Sequence, residues 1–168
     1  MSRQRGFSVL ELVVSICLVA VFAAVLLERL LYLEEYAEMT AMDLTVARMQ
    51  SGLRNRSADL LIRDKVSDIA ALADENPIEW LDTHPENYLG EFDWKPNADL
   101  RGKWYFDRKQ RELVYTINLG RHFLPLPGGA TEFRWHAVKS GVREENKSVN
   151  KTNAQWVSLM RVAGGRWF

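Results

Sequence analysis

FSVLELVVSICLVAVFAAVLL, residues 7–27, is a run of 21 residues in which Glu11 is the only charge. As an α-helix with a 1.5 Å rise per residue it spans about 30 Å, the thickness of a bilayer's hydrocarbon core. Val9, Leu10, Leu12, Val13, Val14, Ile16, Leu18 and Val19 leave no polar stripe. A helix apolar on every side belongs in a membrane or deep inside a protein. A chain of 168 residues has little capacity to enclose one, so the run predicts a membrane span. Arg3 and Arg5 precede it, and a basic flank predicts a cytoplasmic N-terminus with the rest of the chain outside. Glu28 and Arg29 close the span.

A secretory signal shares the basic start, but its apolar core runs roughly 7–15 residues and ends in small residues ahead of a cleavage site. Leu26-Leu27-Glu28-Arg29 offers no such site. The single cysteine, Cys17, lies within the run; it forms no intrachain disulfide and behaves there as a small hydrophobe. Glu11 is the anomaly. A carboxylate at mid-bilayer costs about 2.5–3.5 kcal/mol on insertion scales and less towards an end, so it calls for a cationic partner.

Arg5-Gly6-Phe7-Ser8-Val9-Leu10-Glu11-Leu12 resembles the processing motif of type IV prepilins and type II secretion pseudopilins. The resemblance is close over residues 5–33 and weaker beyond. It implies that Gly6 ends a leader peptide of residues 1–6, that a prepilin peptidase cuts between Gly6 and Phe7, and that Phe7 is N-methylated. It also implies that Glu11, the fifth mature residue, pairs with the new positive amine of a neighbouring subunit during assembly. A glycine before the cut suits close approach of a protease to extended backbone. The implied partners are the peptidase, other pilin or pseudopilin subunits, an inner-membrane assembly platform and membrane lipid. The implied location is the bacterial inner membrane as a single-pass protein with its head in the periplasm, and then the pilus or pseudopilus. A minor subunit is expected, since the C-terminal disulfide pair of many major pilins is missing. Glu28 also stands where long major pilins often carry a kinking proline. The alternative is a single-span envelope protein that keeps its N-terminus and binds a partner through its head.

Beyond the span, Leu30, Leu31, Leu33, Met39, Met42, Val46, Met49 and Leu53 recur largely at three- and four-residue spacing, which predicts a continuing amphipathic helix with the stripe packed on the head. Glu34, Glu35, Glu38, Asp43 and Arg48 fill polar positions. Gly52 and Arg54-Asn55-Arg56-Ser57 predict its end, with another helical stretch over 58–73. Asn76-Pro77-Ile78-Glu79 predicts a short helix over 77–82, with Asn76 as cap and Pro77 in the first turn. Residues 85–96 read as an irregular acidic loop. Strands are predicted at Lys103-Trp104-Tyr105-Phe106, at 112–117, over 131–138 with Phe133, Trp135 and Ala137 on one face, and over 155–162. Residues 141–153 read as a polar loop. The fold class is α+β: a long N-terminal helix, half transmembrane (7–27) and half amphipathic (28–74), packed against a small antiparallel sheet of about four strands within a head spanning 75–168.

Charge is balanced overall but unevenly spread. Residues 74–99 hold 8 acids and one base, Lys95, whereas residues 100–168 hold 13 bases and 5 acids; this reads first as two solvated faces of a small domain, the alternative being attraction between the two parts within or between subunits. Glu86, Glu91, Asp93 and Asp99 match no calcium-loop spacing. His84, His122 and His136 have no metal-ligand spacing, and no nucleophile elbow, phosphate loop or dinucleotide motif occurs. No enzymatic activity, metal or cofactor is expected. Arg101, Lys103, Arg108, Lys109 and Arg111 lie beside Trp104, Tyr105 and Phe106, a pattern that can bind single strands. In a strand pair such aromatics go to the core, and nucleic acid is not expected as a partner.

Overall fold

The structure, a computed structural model, describes residues 8–95, 99–125, 129, 131–140 and 156–167. It divides into two compact units, Met1–Ala37 and Glu38–Phe168. The first helix, α1 (Val9–Ile62), contributes to both. In the first unit α1 opens at Ser8, whose carbonyl accepts from Leu12 N–H at 3.1 Å.

In the second unit α1 continues through Gly52 and the polar run after it to Ile62, eliminating the expected end near residues 52–57. The reason is tertiary. A Cβ on Gly52 would collide with the carbonyl of Trp80, so this glycine marks a close packing contact rather than a stop. Arg54, Asn55 and Arg56 are exposed while Leu53 and Ser57 are buried, so the polar run is the solvent face of the same helix. The helix stops at residues 63–65, where Asp64 takes a positive φ of 58°. The remainder of the expected second helical stretch is one turn, α2 (Val66–Ile69), followed by a 3₁₀ turn, Ala70–Asp74. The short helix after Asn76 is also a 3₁₀ turn, Pro77–Trp80, capped as expected: Asn76 Oδ1 accepts from Ile78 N–H at 3.1 Å.

Seven strands follow among the described residues: β1 (Tyr88–Phe92), β2 (Lys103–Asp107), β3 (Glu112–Thr116), β4 (Phe123–Leu124), β5 (Glu132–Ser140), β6 (Trp156–Ala163) and β7 (Arg166–Trp167). Five form one sheet in the order β1-β2-β3-β5-β6, and β4 pairs with β7 separately. The four expected strands are β2, β3, β5 and β6, all antiparallel neighbours. The fifth, β1, lies in the segment expected to be a loop and pairs parallel with β2, so the sheet is mixed. Its alternation is short and interrupted by Gly90 at φ 111°, which left little strand signal. The expected loop over 141–153 lies outside the described residues.

Met42, Met49 and Leu53 of α1 meet Trp104, Phe106, Leu113, Tyr115, Phe133 and Trp135 of the sheet in one core. From Met39 onward the stripe packs as its spacing implied, whereas Leu30 and Leu33 are exposed. The opposite face of β2 and β3 is covered too. Tyr105 and Val114 are buried there with Leu100, against Phe92 of β1. That second small core explains why β2 and β3 are buried at successive positions rather than alternating.

Candidate functional site

In the first unit, the apolar run of α1 is bare. Every residue from 8 to 30 is exposed; Val9 is 78% and Phe22 67% accessible. The helix is long and apolar enough to cross a membrane, and none of its most apolar window is buried. Large apolar side chains exposed on every side form a far larger apolar patch than is usual on a soluble surface, a character compatible with surroundings of lipid or of other apolar helices. Glu11 lies on the exposed helix in its first turn, where the helix macrodipole favours a carboxylate. Ser15 Oγ donates to the Glu11 carbonyl at 2.8 Å, a local bond that leaves the Glu11 carboxylate for another partner. Cys17 is exposed on the same rod. Gly6 and Phe7, the expected cleavage and methylation positions, lie outside the described residues.

Two residues organise the second unit beyond what the sequence assigned to them: Glu38, read only as a polar helix position, and Asn76, read only as a cap. Glu38 accepts from Tyr115 Oη at 2.9 Å, from Asn118 N–H at 2.6 Å and from Leu119 N–H at 3.0 Å. Its carboxylate thus ties α1 to the end of β3. Burial first, and then the Glu38 charge, push the Tyr115 phenol far above its ordinary range, so it remains a donor. The signal was present: Glu38 stands four residues before Met42 and eleven before Met49, in register with the buried stripe, where an acid needs a built partner. Asn76, buried, caps the 3₁₀ turn and also donates from Nδ2 to Tyr88 Oη at 2.8 Å and Glu91 Oε1 at 2.9 Å. Its amide, then Arg108, hold the Glu91 carboxyl below its ordinary value. Burial pushes the Tyr88 phenol up to about 12 against the opposing Asn76 bond.

Part of the uneven charge is met inside this unit. Arg108 pairs with Glu91 at 2.9 Å and Asp93 at 3.9 Å, Arg111 and Lys139 with Asp74, and Lys95 with Glu132. Burial would raise the Glu132 carboxyl, but Lys95 and Arg134 outweigh it and hold it below its ordinary value. A cleft of about 540 Å³ beside this network is lined by Arg56, Asp74, Glu75, Glu91, Arg108 and Arg111 among others. Its cations and carboxylates neutralise one another. Trp104, Tyr105 and Phe106 are buried, so they offer no stacking surface to a single strand, and Arg101, Arg108 and Arg111 are each held by a carboxylate. Among the described residues no three His, Cys, Asp or Glu side chains gather as a metal site.

The feature with the clearest demand on its surroundings is therefore the bare apolar helix with its single acid. Comparison with family models, with curated proteins and with solved structures returns no match.

Proposed function

We propose that this chain is a minor pilin or pseudopilin: trimmed between Gly6 and Phe7, N-methylated on Phe7, and assembled from the bacterial inner membrane into a type IV pilus or type II secretion pseudopilus. The observation that carries the reading is an α1 surface left wholly uncovered over residues 8–30, with Glu11 as the one charge ahead of Glu28 and Arg29. Lipid covers such a helix while the subunit waits in the membrane, and neighbouring apolar helices cover it in a filament. The same residues serve both states because both surroundings are equally apolar. Glu11 distinguishes a filament helix from a plain anchor. Its charge is costly in either setting unless a cation joins it, and removal of residues 1–6 creates one at Phe7. The Gly6-Phe7 junction with Glu11 at the fifth mature position supports this pairing.

Mass spectrometry of the native N-terminus tests the reading. A chain beginning at methylated Phe7 is expected. A chain retaining residues 1–6 in a host with active prepilin peptidase overturns it in favour of a static anchor. Glu11→Ala is expected to be cleaved normally yet to enter filaments at least tenfold less. Incorporation at the unmutated level removes the pairing role.

A further inference from the structure

A cleft of about 520 Å³ opens beside β6, with Leu124, Pro125 and Val162 as apolar wall and Arg161 and Arg166 as its cations. Its backbone is tightly built. Gly164 has a φ of 140° and no room for a Cβ against the Phe133 ring, and a Cβ on Gly165 would strike the Leu124 carbonyl. The two arginines differ from others in this unit, since Arg101, Arg108, Arg111 and Arg134 all have carboxylate partners. Arg161 and Arg166 have none among the described residues. The Arg161 guanidinium lies 5.5 Å from the centroid of the Phe133 ring, which orients it without neutralising it.

Acids without a cation occur at the other side of the sheet. Asp82 and Glu86 are exposed between the Pro77–Trp80 turn and β1, and neither has a basic partner among the described residues. β1 and β6 are the two edges of the five-stranded sheet. Four interstrand spacings of about 4.8 Å place Arg161 on β6 roughly 19 Å from β1, and no ion pair joins Arg161 or Arg166 to Asp82 or Glu86 among the described residues. Both edges also leave a row of backbone hydrogen-bonding groups unpaired within the sheet.

We propose that the Arg161 and Arg166 cleft of one copy receives the segment 82–86 of a second copy, a head-to-tail contact in which Asp82 and Glu86 meet the two guanidiniums. The contact joins two different patches, so it propagates along a row instead of closing a symmetric pair. It rests on the filament reading only for what brings copies side by side. Ion pairs of this kind supply orientation and specificity more than raw affinity, which suits an assembly whose holding energy resides in apolar helices. Opposite charges on exposed edges also weaken with salt.

The test uses the full chain in detergent with Cys17→Ser, carrying either Thr83→Cys or Val162→Cys, so that all four charges remain. Under mild oxidation a mixture of the two variants is expected to give a disulfide-linked dimer at least tenfold above either variant alone, and to lose it at high salt. Equal yield from Thr83→Cys alone, or no dimer in the mixture, overturns the proposal. In the same mixture, Arg161→Glu with Arg166→Glu on the Val162→Cys copy is expected to abolish the dimer. Asp82→Lys with Glu86→Lys on the Thr83→Cys copy is expected to restore it; absence of restoration between variants with wild-type circular dichroism also overturns it. If the arginine variant instead loses binding to phosphatidylglycerol vesicles while the parent mixture gives no dimer, the cleft serves lipid and the proposal fails. None of these readouts depends on how the N-terminus is processed, so the outcome is independent of the mass-spectrometric test.

Discussion

Gly52 sits inside α1, where glycine is about 1 kcal/mol less favourable than alanine. Propensity alone therefore recommends Gly52→Ala. Packing opposes it, because the added Cβ would meet the Trp80 carbonyl, and backbone cannot yield as a flexible side chain can. Overpacking of this kind costs about 1–3 kcal/mol, so Gly52→Ala is expected to lower the midpoint of urea unfolding; a higher midpoint would falsify the contact. Glu38 gives the converse case, a charge whose removal strands its donors. Glu38→Ala leaves Tyr115 Oη and the Asn118 and Leu119 amides without their acceptor. With charge-assisted bonds contributing about 1.5–3 kcal/mol, a loss of about 2–3 kcal/mol is expected by chemical denaturation, and Glu38→Gln should recover part of it.

At the scale of elements, β1 is held differently from its neighbours. It pairs with β2 along one side only, its register is broken between Tyr88 and Glu91, and two of its side chains, Tyr88 and Glu91, are bonded to Asn76. Asn76→Ala removes the cap of the Pro77–Trp80 turn and both amide bonds to β1 together. Local opening follows the weakest cooperative unit. Hydrogen exchange over Tyr88–Phe92 is therefore expected to accelerate at least tenfold in this variant while β3 and β5 keep their protection. Uniform acceleration across the sheet would show that β1 has no separate stability.

For the whole molecule, the titrating groups outside the apolar run set a pH window. Glu91 and Glu132 have carboxyls held below their ordinary value. Such groups bind fewer protons folded than unfolded, so their contribution is present above about pH 4.5 and is lost as pH falls through the lowered values. Tyr88 and Tyr105 are pushed up to about 12, chiefly by burial. These contribute below the ordinary phenol value near 10 and lose that contribution as pH rises towards 12. Thermal unfolding of the detergent-solubilised chain should show a plateau between these limits and a fall on both sides. A plateau extending unchanged to pH 12 would contradict the burial of the two phenols.

The α+β class, the membrane-length helix, the stripe of Met42, Met49 and Leu53, and strands β2, β3, β5 and β6 were all legible from periodicity, because each depends on how residues a few positions apart share one face. Glu11 stood out for the same kind of reason, as one charge in an apolar run. What the linear order could not disclose depends on groups far apart in the chain. Gly52 reads as a stop until Trp80 is placed against it, residues 85–96 read as a loop until β2 offers a parallel edge, and Glu38 reads as a surface acid until the end of β3 turns three donors towards it. Local pattern decides which face of an element is greasy. Only the folded chain decides which backbone or polar group waits opposite, since that depends on contacts whose partners are dozens of residues away.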